Sequence, residues 1–156
     1  MMVLVLSVLT AGLAAIVPMY FGCRKPGYSH IRHTISELAE AGSPVGRSVA
    51  LYGFLPIGLL TWLSLWVAAQ AAPHVSRETF FMLSLIGSGY VGGALFRSDP
   101  NAPMFGSLQN TLHNIFGSLE YAGAAGAFLS LERDAFWAPL SSVAKYAGFL
   151  ILICFC

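Results

Sequence analysis

The sequence predicts an all-α polytopic membrane protein: a single bundle of about five transmembrane helices with a short interfacial amphipathic helix after the first. Three observations predict it. Of 156 residues, 56% are hydrophobic and only 10% charged, where soluble domains carry roughly a quarter charged residues. Five stretches, residues 1–23, 49–72, 79–96, 111–131 and 135–156, are continuous apolar runs holding at most one charge each. Each is close to the roughly 20 helical residues that cross a hydrocarbon core of about 30 Å. So little chain lies outside these runs that a separate water-soluble catalytic domain is excluded. The runs also lack the polar/apolar alternation of an outer-membrane barrel. A net charge of +1 without a Lys/Arg stripe excludes nucleic acid as a partner.

The first run has no basic residue before it and exceeds the h-region of a secretory signal, so it reads as a span. Pro18 and, in the second run, Pro56 each remove a helix hydrogen bond and are expected to bend the backbone. Cys23, Cys154 and Cys156 show neither metal-ligand nor disulfide spacing. In the third run Ser88 and Gly92, and Gly89 and Gly93, stand four residues apart, as do Ser118, Ala122 and Gly126 in the fourth. Small residues at that interval let helices approach closely where lipid gives no hydrophobic drive for association. The chain ends at ILICFC, which suits either a native five-span protein or a chain that stops before a further span.

The connections set the expected sidedness. Arg24, Lys25, Arg32 and Arg47 lie in the first and Arg97 in the third, against Arg77 and Arg133 on the opposite face. The positive-inside tendency therefore places the first and third connections in the cytoplasm. Within the first, SHIRHTISELAEAG reads as a helix over 29–41, stopped by Gly42 and Pro44. At 100° per residue it puts Ile31, Ile35 and Leu38 on one face and His30, His33 and Glu37 on another, an arrangement suited to the membrane interface. The third connection has two prolines soon after Arg97, which shape a turn at Asp99. Both polar clusters then share one membrane face and can meet.

The polar residues divide by the chemistry they suit. His30, His33, His113 and Asp99 are the types that bind a divalent metal such as zinc, the first two at i, i+3 spacing. Glu37, Asp99 and His113 are the candidate acid/base residues of a metal-dependent lipid hydrolase or transferase. Arg97, whose guanidinium forks onto phosphate, and Asn110 are the candidates for holding a lipid headgroup. Snorkelling interfacial side chains paired with headgroups account for the same residues without a site. Glu120, about 10 Å deeper than His113 along the helix, is expected to face the bundle, where it is protonated, hydrogen-bonded or paired with Lys145. Tyr52, Trp62, Trp66 and Tyr90 are interface aromatics or ligand-lining groups.

SHIRHTISELAEAGSP, followed by FRSDP, a proline-containing gap and LHNIFGSLEY, resembles the family known as domain of unknown function 998. The resemblance is carried by Ser36, Glu37, Gly42, Asp99, Pro100, His113 and Gly117. It implies a prokaryotic multi-pass protein of the inner membrane, usually with about six spans, and brings no reaction with it. Three functions follow as expectations: a binding protein or accessory subunit holding a membrane lipid headgroup or other small ligand, within a homo-oligomer or larger complex; a metal-dependent lipid hydrolase or transferase; or a proton-coupled transporter using Glu120 and Lys145.

Overall fold

The computed structural model describes residues 1–71, 75–131 and 141–155, and among these the chain is an all-α bundle of six helices without a strand. They are α1 (Met2–Gly22), α2 (Ile35–Leu38), α3 (Gly46–Ala71), α4 (Arg77–Leu95), α5 (Leu108–Leu131) and α6 (Ser141–Phe155). The long helices pack in chain order, α1 on α3, α3 on α4, α4 on α5 and α5 on α6. The first and third connections therefore emerge at the same end. Residues 135–140, Arg133 and Cys156 of the sequence expectations lie outside the described residues.

Two helices, Met2–Gly22 and Gly46–Ala71, are long and apolar enough to cross a membrane by length and composition. Of the first, only 6% of the apolar window is buried, and Leu4, Val5, Val8, Leu9 and Ile16 face outward. Pro18 sits inside α1 without ending it. Pro56 has a visible consequence: Ala50–Phe54 forms a π-helical turn, with the Leu55 N–H bonded to Ala50 O five residues back. Proline supplies no N–H for the normal four-residue register, and the wider turn absorbs the defect. It also directs Phe54 into the core.

Glycines decide how α4 meets its neighbours. A Cβ on Gly92 would lie 1.9 Å from Phe116 Cγ, and one on Gly89 would lie 2.4 Å from Glu120 Cβ, so α5 rests directly on the α4 backbone. Gly58 of α3 and Gly87 of α4 face each other in the same way, and the Trp62 indole N–H donates to Ser84 O at 3.1 Å. The α5 seam differs from the expected one. Ser118 and Ala122 are exposed, whereas Gly126 meets Met82 of α4 as expected and Glu120, Gly123 and Ser130 also face α4. At the far end the buried Thr79 hydroxyl donates to Ser130 Oγ at 2.9 Å, tying α4 to α5.

The helix expected over 29–41 forms only at Ile35–Leu38. Thr34 and Glu37 make a capping box, in which the Glu37 carboxylate accepts the Thr34 N–H at 2.8 Å, so a new helix starts at Ile35. Before it, the Ser29 N–H donates to His33 Nδ1 at 2.9 Å and holds residues 29–33 in turns. A four-residue helix has no stability of its own. It is held by Leu38 and Ala39, both at 0% exposure in a core cluster with Val17, Val45, Val49 and Phe54. Burying Leu38 contributes about 1.5–3 kcal/mol. The expected apolar stripe breaks up, since Ile31 is 97% exposed.

The seam predicts opposite outcomes for two glycines. Gly92→Ala should cost about 3 kcal/mol, because its methyl would overlap Phe116. Gly117→Ala, where a Cβ meets nothing within 4 Å, should stabilise by about 0.5–1 kcal/mol through helix propensity. Equilibrium unfolding in detergent micelles checks both.

Candidate functional site

The two connections dock on each other, through residues other than those expected. Glu40 is the hub: its Oε1 lies 2.6 Å from Lys25 Nζ, and its Oε2 accepts the Asn101 N–H at 2.7 Å. Lys25 also donates to Glu37 O. The Ala41 N–H donates to Ser98 O at 2.8 Å, and Ser98 is fully buried beneath that contact. Lys25 and Glu40 side chains are each 14% exposed, so the pair is largely shielded from water. Sequence reasoning missed Glu40 because the partners stand fifteen residues apart and share no local motif.

Asp99 and Asn110 are loop-forming residues. Asp99 Oδ2 accepts the Ser107 N–H and Oδ1 the Ser107 hydroxyl, both at 2.7 Å, while Ser107 Oγ accepts the Asn110 N–H as α5 begins. These bonds from Ser107 hold the Asp99 carboxyl below its ordinary value. Asn110 is fully buried, with Oδ1 accepting the Asp99 N–H and Nδ2 donating to Pro103 O. Asn114 adds a second donor to Pro103 O. The knot carries Asn101 and Ala102 at positive φ, +65° and +44°, a conformation that its own bonds offset.

The histidines separate. His33 stacks on Tyr28 at 5.6 Å between ring centroids, and His30 meets Tyr28 edge-on at 5.1 Å. His30 also covers Gly22. Burial and the nearby Glu37 carboxylate push the Tyr28 phenol up. His33, Glu37, Lys25, Glu40 and Asn101 line a small cavity of about 180 Å³ between the connections. Its charged and imidazole groups already have partners in the loop. Among the described residues no three His, Cys, Asp or Glu side chains come together to hold a metal ion. The expected ligand set of His30, His33, His113 and Asp99 is therefore not assembled: tyrosine stacking claims the first two, and Ser107 claims Asp99.

His113 belongs to a different site. It is 5% exposed on α5, and its Nδ1 lies 2.7 Å from Phe96 O. A carbonyl only accepts, so Nδ1 carries a proton and donates it to Phe96 O. His113 lines a cavity of about 130 Å³ together with Phe54, Tyr90, Glu120 and Tyr121, under a roof made by Thr34, Ile35 and Ser36. Gly89, Gly93 and Gly117 leave the space open. The Glu120 carboxyl is turned into the bundle as expected, its Cβ against Gly89, and it shares the cavity lining with the Tyr90 and Tyr121 phenols. Lys145 is exposed on α6. Arg97 is outside the cavity lining. The signal that marks Tyr90 in the sequence is its place in SGYVGG, an aromatic ring within a glycine seam.

Chemically, this cavity offers one carboxyl, one imidazole, two phenols and the hydroxyls of Thr34 and Ser36 around a volume of roughly four water molecules. Among the described residues lining it there is no lysine or arginine. The family profile described as a protein of unknown function, DUF998, matches residues 8–156. No curated protein and no solved structure matches the chain.

Two changes test the docked loops. Glu40→Ala strands Lys25 and frees Asn101, and should cost about 2–3 kcal/mol, less than the ~3–5 kcal/mol of a fully buried pair; chemical unfolding reads it. Asp99 titrates lower when folded than unfolded, so its contribution is fully present above its ordinary value of 3.8 and is lost as pH falls through the folded value. The melting-temperature gap between wild type and Asp99→Asn should hold steady at neutral pH and close on acidification past 3.8.

Proposed function

We propose that this chain, which belongs to the DUF998 family of unknown function, is a five-span integral membrane protein that binds the polar head of a membrane lipid or other small ligand in the cavity beneath α2. Its place is the prokaryotic inner membrane, where it acts as a binding protein or accessory subunit. Support for the membrane setting comes from α1, an apolar helix whose outward face is almost wholly uncovered by the rest of the chain. In water that face would be costly; in lipid it is matched.

One observation carries the binding reading: an apolar bundle keeps Glu120, His113 and Tyr90 on a shared cavity, with the half-exposed Tyr121 at its edge, when shape-matched apolar residues would fill it. Polar groups buried in a bundle are costly and persist where they meet a partner. The head is held by these residues. Arg97, outside the lining, plays no part in it. Thr34, Ile35 and Ser36 close one side of the cavity, and the Lys25–Glu40–Asn101 contacts fix their loop in place. No bond need break for this role.

Gly117→Leu plugs the cavity from a position where added atoms have open space. Mass spectrometry of the protein purified in mild detergent should show co-purifying ligand reduced by about tenfold or more, equivalent to about 1.4 kcal/mol, with the fold retained as in Gly117→Ala. Undiminished ligand in a folded Gly117→Leu protein would rule the cavity out.

A further inference from the structure

The polar cavity is one half of a larger feature. An apolar groove of about 450 Å³ runs between α1, α3 and α4, lined by Ala11, Ala14, Ile57, Leu65, Ile86 and Tyr90 among others. Tyr90 is common to both, so the cavity and the groove meet at the same side chain. On α1 the lining extends from Ala14 back to Val3, eleven residues or about 17 Å at the helical rise of 1.5 Å. That is about half of a 30 Å hydrocarbon core, the reach of one acyl-length chain. Most of the groove surface is aliphatic, with Ser7, Thr10, Thr61 and Ser64 as its small polar residues. Three of these hydroxyls are spent on their own helices: Thr10 on Leu6 O, Thr61 on Ile57 O and Ser64 on Leu60 O.

The cavity end has the chemistry of a cation receptor. Phe54 and Tyr90 meet edge to face, with centroids 5.9 Å apart and planes at 72°, and form one corner. Tyr121, the Glu120 carboxyl and His113, whose Nδ1 is committed to Phe96 O, complete the lining. Aromatic faces attract ammonium groups by their quadrupole, more strongly when water is excluded, and a carboxyl adds a formal counter-charge. A phosphate or sulfate head would meet a carboxyl and π-faces, with no lysine or arginine among the described lining residues to balance it.

We infer that the combined cavity and groove takes a single-chain amphiphile with an ammonium head, its head among Phe54, Tyr90, Tyr121 and Glu120 and its tail along α1, α3 and α4. This rests on the binding role proposed above and narrows it to one ligand class. Delipidated protein in maltoside micelles is titrated with three probes of equal tail length: dodecyltrimethylammonium, dodecyl sulfate and dodecanol. The ammonium probe should bind about tenfold or more tightly than either other probe, with the advantage lost in Glu120→Gln and reduced in Tyr90→Leu. Gly117→Leu should abolish binding while retaining the fold.

Equal binding of all three probes, blocked by Gly117→Leu, overturns the ammonium assignment and leaves the binding role standing. Binding that Gly117→Leu does not block overturns both. An ammonium preference that survives Glu120→Gln and Tyr90→Leu in folded proteins also overturns the assignment, since it places the head elsewhere.

Discussion

The contact on which the site depends is the approach of α5 onto the bare backbone of α4. At Gly92 there is no side chain, and Phe116 occupies the space a methyl would need; at Gly89 the same holds for Glu120. Because α5 is pressed in at these two points, its rotation is set. Glu120 is carried to Tyr90, and His113, two turns earlier, is carried to the level of Gly93. Without a glycine face on α4 the helices would stand farther apart, and the carboxyl, imidazole and phenols would not share a cavity. Packing thus creates the polar site, in keeping with the way helices associate where hydrophobic drive is weak.

Two local irregularities finish the cavity. The π-helical turn before Pro56 brings Phe54 inward to form the aromatic corner with Tyr90, an instance of a wide turn placed beside a candidate site. The interruption between His33 and Ile35 leaves α2 short enough to sit across the mouth, pinned by Leu38 below and by Glu40 at its side. The third connection, knotted by Asp99, Ser107 and Asn110, provides the surface against which Ala41 and Glu40 dock. Residues with catalytic-looking chemistry in the connections are therefore scaffolding, and the polar cavity is lined by other groups, Tyr90, His113, Glu120 and Tyr121.

The proposed amphiphile ties these parts to one physical requirement. A head that is charged and a tail that is apolar need a polar cavity and an apolar groove in register, and Tyr90, with an aromatic face and a hydroxyl, suits the junction. The groove faces α1, whose outer surface is apolar and uncovered, so a tail can enter from a surrounding lipid phase without crossing water.

What the sequence by itself determined was the all-helical class, the common end of the first and third connections, the small-residue face of α4 and the inward orientation of Glu120. These follow from composition, from hydrophobic runs and from the cost of a carboxyl facing lipid, all of which act along the chain or one residue at a time. Only the tertiary structure decided which polar residues meet. His30, His33 and Glu37 have metal-like spacing on an ideal helix, yet a capping box and a serine–histidine bond divide that helix, and Tyr28 separates the rings. Lys25 pairs with Glu40 across fifteen positions, and Tyr90 and Glu120, thirty positions apart, line one cavity; no periodicity encodes either meeting. They depend on how closely backbones approach, a property set by the absence of side chains at Gly89 and Gly92 and expressed only when two helices are brought together.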